Sequence, residues 1–199
     1  MGKKEEIIEK SRVMFMKYGL RSVSMDDISK ELNISKKTIY ELFEDKATLI
    51  KSIIEIEIKR KMPDMENLFR NDINAIERMF EINKFIIKVR KGTPQNIVFE
   101  LQKYYPEILK DLKCQTESNM LKTVKENLQK GQKEGLIRKN INLDIISALQ
   151  VKRSGMIDEI TEMLKIDYED ILTEILDYHI RAIATEKGIK IYETLKNQK

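Results

Sequence analysis

The chain has 199 residues, 41% hydrophobic and 35% charged, with 37 Lys and Arg against 33 Asp and Glu for a formal net charge of +4. That is enough apolar material for a sizeable core in one domain or two small ones, which excludes a disordered chain. The small net charge makes the placement of cations, not their number, the evidence for a nucleic-acid partner. A lone cysteine, Cys114, excludes an internal disulfide, and the charged N-terminus is followed by neither an export signal nor a membrane-length apolar run, so a cytoplasmic location is expected. Only 7 Gly and 3 Pro interrupt a chain dominated by Leu, Ile, Lys, Glu and Met, which predicts an all-α fold.

Ile7, Ile8, Ser11, Met14, Phe15 and Tyr18 recur with the helical period, and Gly19 stands where a left-handed cap would end a helix of residues 3–18. Ser24 followed by Asp27 is a capping box that starts a second helix with Met25, Ile28 and Leu32 on one stripe. Asn33 tolerates a left-handed backbone, Ile34 is an apolar plug and Ser35 is a good N-cap, giving a stop and a restart within three residues. In the next helix Ile39, Leu42 and Phe43 turn inward, which leaves Lys36, Lys37, Thr38 and Tyr40 pointing outward. Two short helices joined in this way form a helix-turn-helix, whose second helix meets the major groove with its N-terminal turns. Asp45 caps a fourth helix carrying Leu49, Ile53 and Ile56 as far as Pro63.

Beyond Pro63 the pattern predicts a long helix over 64–90, ended by Gly92-Thr93-Pro94, and a short one over 95–104. A helix opened by Pro106 runs to about residue 133, with Gly135 as its stop. The last two span 143–164 and 168–187, with Gly188 as the stop and a helical tail after it. The expected organisation is a helix-turn-helix DNA-binding domain over 1–47, linked by a helix over 46–62, and a larger helical domain over 48–199.

Phe15, Tyr18-Gly19, Ile28, Leu32, Ile34-Ser35, Thr38-Ile39-Tyr40, Phe43, Lys46 and Leu49 stand in an order and spacing that resembles the DNA-binding domain of the tetracycline-repressor (TetR) family of bacterial transcription regulators. Two positions depart from the family's pattern. It often has a small residue where this chain has Lys37, which moves or adds a contact, and a His or Tyr where this chain has Leu42, which removes a polar group.

The resemblance implies a dimeric repressor, released from a palindromic double-stranded DNA operator by an unidentified small-molecule effector. Ser24, Lys36, Lys37, Thr38, Tyr40 and Lys46 are the expected DNA-binding residues. Lys46 sits in the first turn of its helix, where the dipole disfavours a cation and a phosphate would relieve the conflict. In the family the residue matching Tyr40 donates to a phosphate. Thr38 either supports its own helix turn or touches a thymine methyl or phosphate, and Glu41 either accepts from a cytosine or is solvated surface.

The resemblance further implies an effector cavity, for which Phe80, Phe85, Phe99, Tyr104, Tyr105 and Met120 are candidates, though each is also an ordinary core residue. It implies a homodimer through the last two long helices, with Leu149, Met156, Ile160, Ile171, Ile175, His179 and Ile183 at the interface and Ser154-Gly155 permitting close approach. A competing expectation is a dimeric helical interaction protein that retains the fold without operator binding, motivated by Leu42 and the acids Glu41, Glu44 and Asp45. With no Gly-rich phosphate loop, no second His for zinc and no nucleophile beside a base, neither enzymatic activity nor any cofactor or metal is expected.

Overall fold

The computed structural model describes residues 2–70, 72–153 and 156–198, so Ser154 and Gly155 lie outside the described residues. Those residues form helices only, apart from one isolated bridge. The helices are α1 (Lys3–Tyr18), α2 (Met25–Glu31), α3 (Lys36–Leu42), α4 (Lys46–Arg70), α5 (Ala75–Lys91) and α6 (Gln95–Tyr104). They continue with α7 (Pro106–Lys133), α8 (Leu143–Arg153), α9 (Ile157–Leu164), α10 (Tyr168–Ile183) and α11 (Glu186–Lys196). The all-α expectation holds.

The chain divides into two compact units, one of residues 1–63 with 92–113 and the other of residues 64–91 with 114–199. In the first, Ile7, Phe15, Ile28, Ile39, Phe43 and Leu49 are buried in one cluster that also takes Ile97 of α6 and Ile108 of α7. In the second, Ile76, Phe80, Leu128, Leu136, Ile180 and Tyr192 form the larger cluster, with Phe80 and Tyr192 meeting edge to face, and Ile87, Ile157, Ile171 and Leu172 form a smaller one.

Three expected helix boundaries move. Pro63 does not end its helix, because its ring is exposed on α4 and the carbonyl it leaves without a donor can take water. The break comes before α5, where Asn74 Oδ1 accepts the N–H of Glu77 at 2.9 Å, an N-cap. The helix expected over 143–164 is two, α8 and α9.

Gly188 does not stop a helix but lies inside α11, where a Cβ would stand 2.3 Å from the carbonyl oxygen of Leu136. The stop is instead at Ala184 and Thr185, where the chain turns extended and pairs with the segment after α7: Arg138 N–H donates to Ile183 O at 2.9 Å and Thr185 N–H to Leu136 O at 2.9 Å.

Candidate nucleic-acid interface

Local hydrogen bonds set the frame of α3. Ser24 Oγ accepts the N–H of Asp27 at 3.1 Å while the Asp27 carboxylate accepts the Ser24 N–H at 2.9 Å and its hydroxyl at 2.6 Å. These bonds hold the Asp27 carboxyl below its usual range. At the other end of α2, Asn33 takes φ +52° and Ile34 N–H reaches back to Ser29 O at 3.0 Å, a closure that uses the left-handed cap. Ser35 Oγ then accepts the N–H of Thr38 at 3.1 Å, and the two hydroxyls lie 2.8 Å apart. Asp45 repeats the device for α4, accepting the N–H of Thr48 at 2.7 Å and its hydroxyl at 2.8 Å.

Burial orients what these caps position. Ile39 is fully buried and Phe43 nearly so, with Leu32, Ile34 and Leu42 packed on the same core, so one face of α3 is spent inside. The opposite face carries Lys36, Lys37 and Tyr40, all exposed, with Lys37 at 86% and Tyr40 at 49%. Thr38 is half-buried, with its hydroxyl turned to Ser35.

The two lysines are not in the same state. Lys36 Nζ pairs directly with the Asp26 carboxylate on α2, which raises its pKa, whereas Lys37 stands 3.9 Å from Glu41. Lys46 is half-buried at the start of α4, its ammonium over the Phe15 ring at 5.7 Å and 3.5 Å from the Arg21 carbonyl. Burial pushes its pKa down, against the pull of Glu100 and Asp27. Asp26, Arg21 and Glu100 are the neighbours that sequence reasoning missed, since each acts from a different helix or turn and leaves no local spacing to find.

The remaining candidates are dispersed. Phe80 is core in the second unit, Phe85 is half-buried and Met120 is exposed there; in the first unit Tyr105 packs on the core, while Phe99 and Tyr104 are exposed. An open groove of about 300 Å³ in the first unit is lined by Glu6, Glu9, Lys10, Val13, Glu31 and Leu32, none of them an expected cavity residue.

Of the expected interface residues, Ile171 and Ile183 are buried within their own unit, Ile160, Ile175 and His179 are half-buried, and Leu149 and Met156 are more than half exposed. Ile145, Met163, Leu164 and Tyr178 are also exposed on α8, α9 and α10. His179 Nε2 lies 2.9 Å from Gln150 Oε1, and Cys114 is exposed. Among the described residues no group of His, Cys, Asp and Glu is placed to hold a metal, and no helix is long and apolar enough to cross a membrane.

Residues 7–53 match the model of the bacterial regulatory proteins of the tetR family. Among solved structures, a transcriptional regulator from Cytophaga hutchinsonii superposes with a TM-score of 0.75 at 20% identity, covering 93% of this chain and all of that one. A TetR transcription regulator from Haloarcula marismortui gives 0.71 at 14% identity, covering 92% and 98%. A regulator from Saccharomonospora viridis, described in complex with choline, gives 0.67 at 19% identity, covering 92% and 98%. At such identities the likeness is one of fold. No curated protein matches the chain.

Proposed function

We propose, from the premise that this chain belongs to the tetR family of bacterial regulatory proteins and is a DNA-binding transcriptional regulator, that it acts as a dimeric repressor released from a palindromic operator by a small molecule. Residues 1–47 are assigned to DNA contact and 48–199 to effector binding and dimerisation. Lys36, Lys37, Lys46 and Tyr40 dock on phosphates, Ser24 and Thr38 support or extend that contact, and α3 reads base edges.

The observation that carries this reading is the division of α3 into a fully buried Ile39 underside and an exposed Lys36, Lys37 and Tyr40 tip. A pair of such tips meets successive major grooves only when about 34–36 Å apart, which is what a twofold dimer supplies. Exposed Leu149, Met156 and Tyr178 on α8 to α10 favour that assembly. An effector that binds better to a wider tip separation weakens DNA binding, and DNA must weaken effector binding by the same factor.

A gel-shift titration with the DNA upstream of the chain's own gene tests the proposal. A discrete complex of two chains per duplex is expected, and it should dissolve on adding a small molecule identified by native mass spectrometry of the purified protein. No complex at any salt concentration would leave a fold without operator binding.

A further inference from the structure

The exposed tip of α3 carries two adjacent lysines in different electrostatic states. Lys36 Nζ is in direct contact with the carboxylate of Asp26, a residue of the first turn of α2, while Lys37 Nζ stands 3.9 Å from Glu41 on its own helix and the Lys37 side chain is 86% exposed. The Asp26–Lys36 pair bridges the two helices of the helix-turn-helix. Tyr40 lies one turn beyond Lys36 on the same helix and is likewise exposed, so a phosphate held by both would meet the Asp26–Lys36 pair.

We propose that Asp26 is an affinity-limiting residue of the DNA interface, occupying the Lys36 ammonium in the free protein so that a backbone phosphate must displace it. This rests on the assignment of α3 to DNA. Asp26 supplies an oxygen anion of the charge and geometry a phosphate would offer, so docking at Lys36 exchanges one anion for another and leaves a carboxylate beside the duplex. Lys37 meets no such competitor at contact distance. The exchange lowers affinity for any sequence, because phosphates carry no base information. Both partners are well exposed, at 60% and 44%, so the pair is weak enough to be broken on docking and its influence fades as salt rises.

The test is a double-mutant cycle on binding of a fluorescent mixed-sequence duplex, measured by anisotropy from low to high salt with the wild type, Asp26→Asn, Lys36→Ala and the double variant. Asp26→Asn should tighten binding roughly threefold to tenfold at low salt, with the gain shrinking as salt rises. Lys36→Ala should remove most of that gain, leaving only the repulsion of the carboxylate by the duplex, and in the wild-type background it should cost less than Lys37→Ala. Asp26→Ser serves as a second variant, and circular dichroism melting checks that both keep the fold.

Weaker binding by Asp26→Asn would mean that Asp26 positions Lys36, and an equal gain without Lys36 would mean simple repulsion; either overturns the proposal. A wild type that binds neither this duplex nor its own upstream DNA would refute the DNA assignment itself. Binding by the wild type with no response to Asp26→Asn refutes this inference alone.

Discussion

The carboxylate of Glu100, on α6, accepts the backbone N–H of Arg21 at 2.9 Å, tying the turn between α1 and α2 to a helix some eighty residues along the chain. Gly19 makes the approach possible: it adopts φ +90°, and a Cβ there would lie 3.1 Å and 3.3 Å from the Glu100 oxygens. The Arg21 guanidinium lies over the Tyr104 ring at 5.3 Å and donates to its hydroxyl at 3.2 Å, closing the clasp.

Glu100→Ala should therefore destabilise the chain by about 1.5 kcal/mol, the low end for a hydrogen bond to a charged group because the site is near solvent. Glu100→Gln keeps an acceptor and should recover most of it. Gly19→Ala should cost about 1–3 kcal/mol, because φ +90° with ψ 159° is a conformation essentially confined to glycine. Urea unfolding followed by circular dichroism reads all three.

His179 gives stability a pH dependence. Burial, with the Arg153 guanidinium nearby, pushes its pKa from the usual 6.5 down to about 4. Between these values the unfolded chain takes up a proton that the folded chain refuses, so stability falls as pH is lowered through that window and is unaffected by this group above it. The loss should approach ~3 kcal/mol at the bottom of the window, and His179→Gln should remove that part of the slope. Unfolding midpoints of both proteins from pH 7 to pH 4 check it; parallel profiles would contradict the assignment.

Much of the helix-turn-helix was legible because its signals are local. The Ser24–Asp27 box, the left-handed Asn33 and the Ser35 cap are each set by hydrogen bonds within five residues, and the structure has all three. Gly19 was legible only in part: its φ is positive and its N–H donates to the Phe15 carbonyl at 2.8 Å, as expected of a cap, but its ψ of 159° is extended and leads the chain to Arg21, whose N–H the distant Glu100 accepts.

Tyr18 follows the helical period yet is 54% exposed, since period alone does not say where a stripe ends. The Asn74 to Glu77 cap was written in the sequence and overlooked in favour of Pro63. The stop at Ala184 was not written locally at all, because its bridge partner is Ile137. Likewise nothing near Lys36 or Lys46 in sequence marks Asp26 or Arg21 as their neighbours.

Gly188 tests that non-local packing. A methyl group there meets the Leu136 carbonyl, a backbone atom that cannot swing aside, so Gly188→Ala should destabilise by about 1–3 kcal/mol despite the better helix propensity of alanine. A thermal midpoint equal to or above that of the parent would show that α11 packs otherwise.

The proposed dimer predicts a change of mass. Leu149 and Tyr178 are 59% and 77% exposed in one chain, and a second copy would cover them. Leu149→Glu places an unpaired charge in that contact and should convert the dimer to a monomer of unchanged helicity, as read by light scattering and circular dichroism. A dimer that survives the substitution would place the interface elsewhere.

The most direct test of the account is the salt dependence of DNA binding by Lys37→Ala. Lys37 is the more exposed of the two lysines on α3 and pairs only loosely with Glu41 at 3.9 Å, so its loss should weaken binding and reduce the slope of log affinity against log salt by about one unit. Affinity unchanged from the wild type at every salt concentration would contradict the placement of the α3 tip against a duplex.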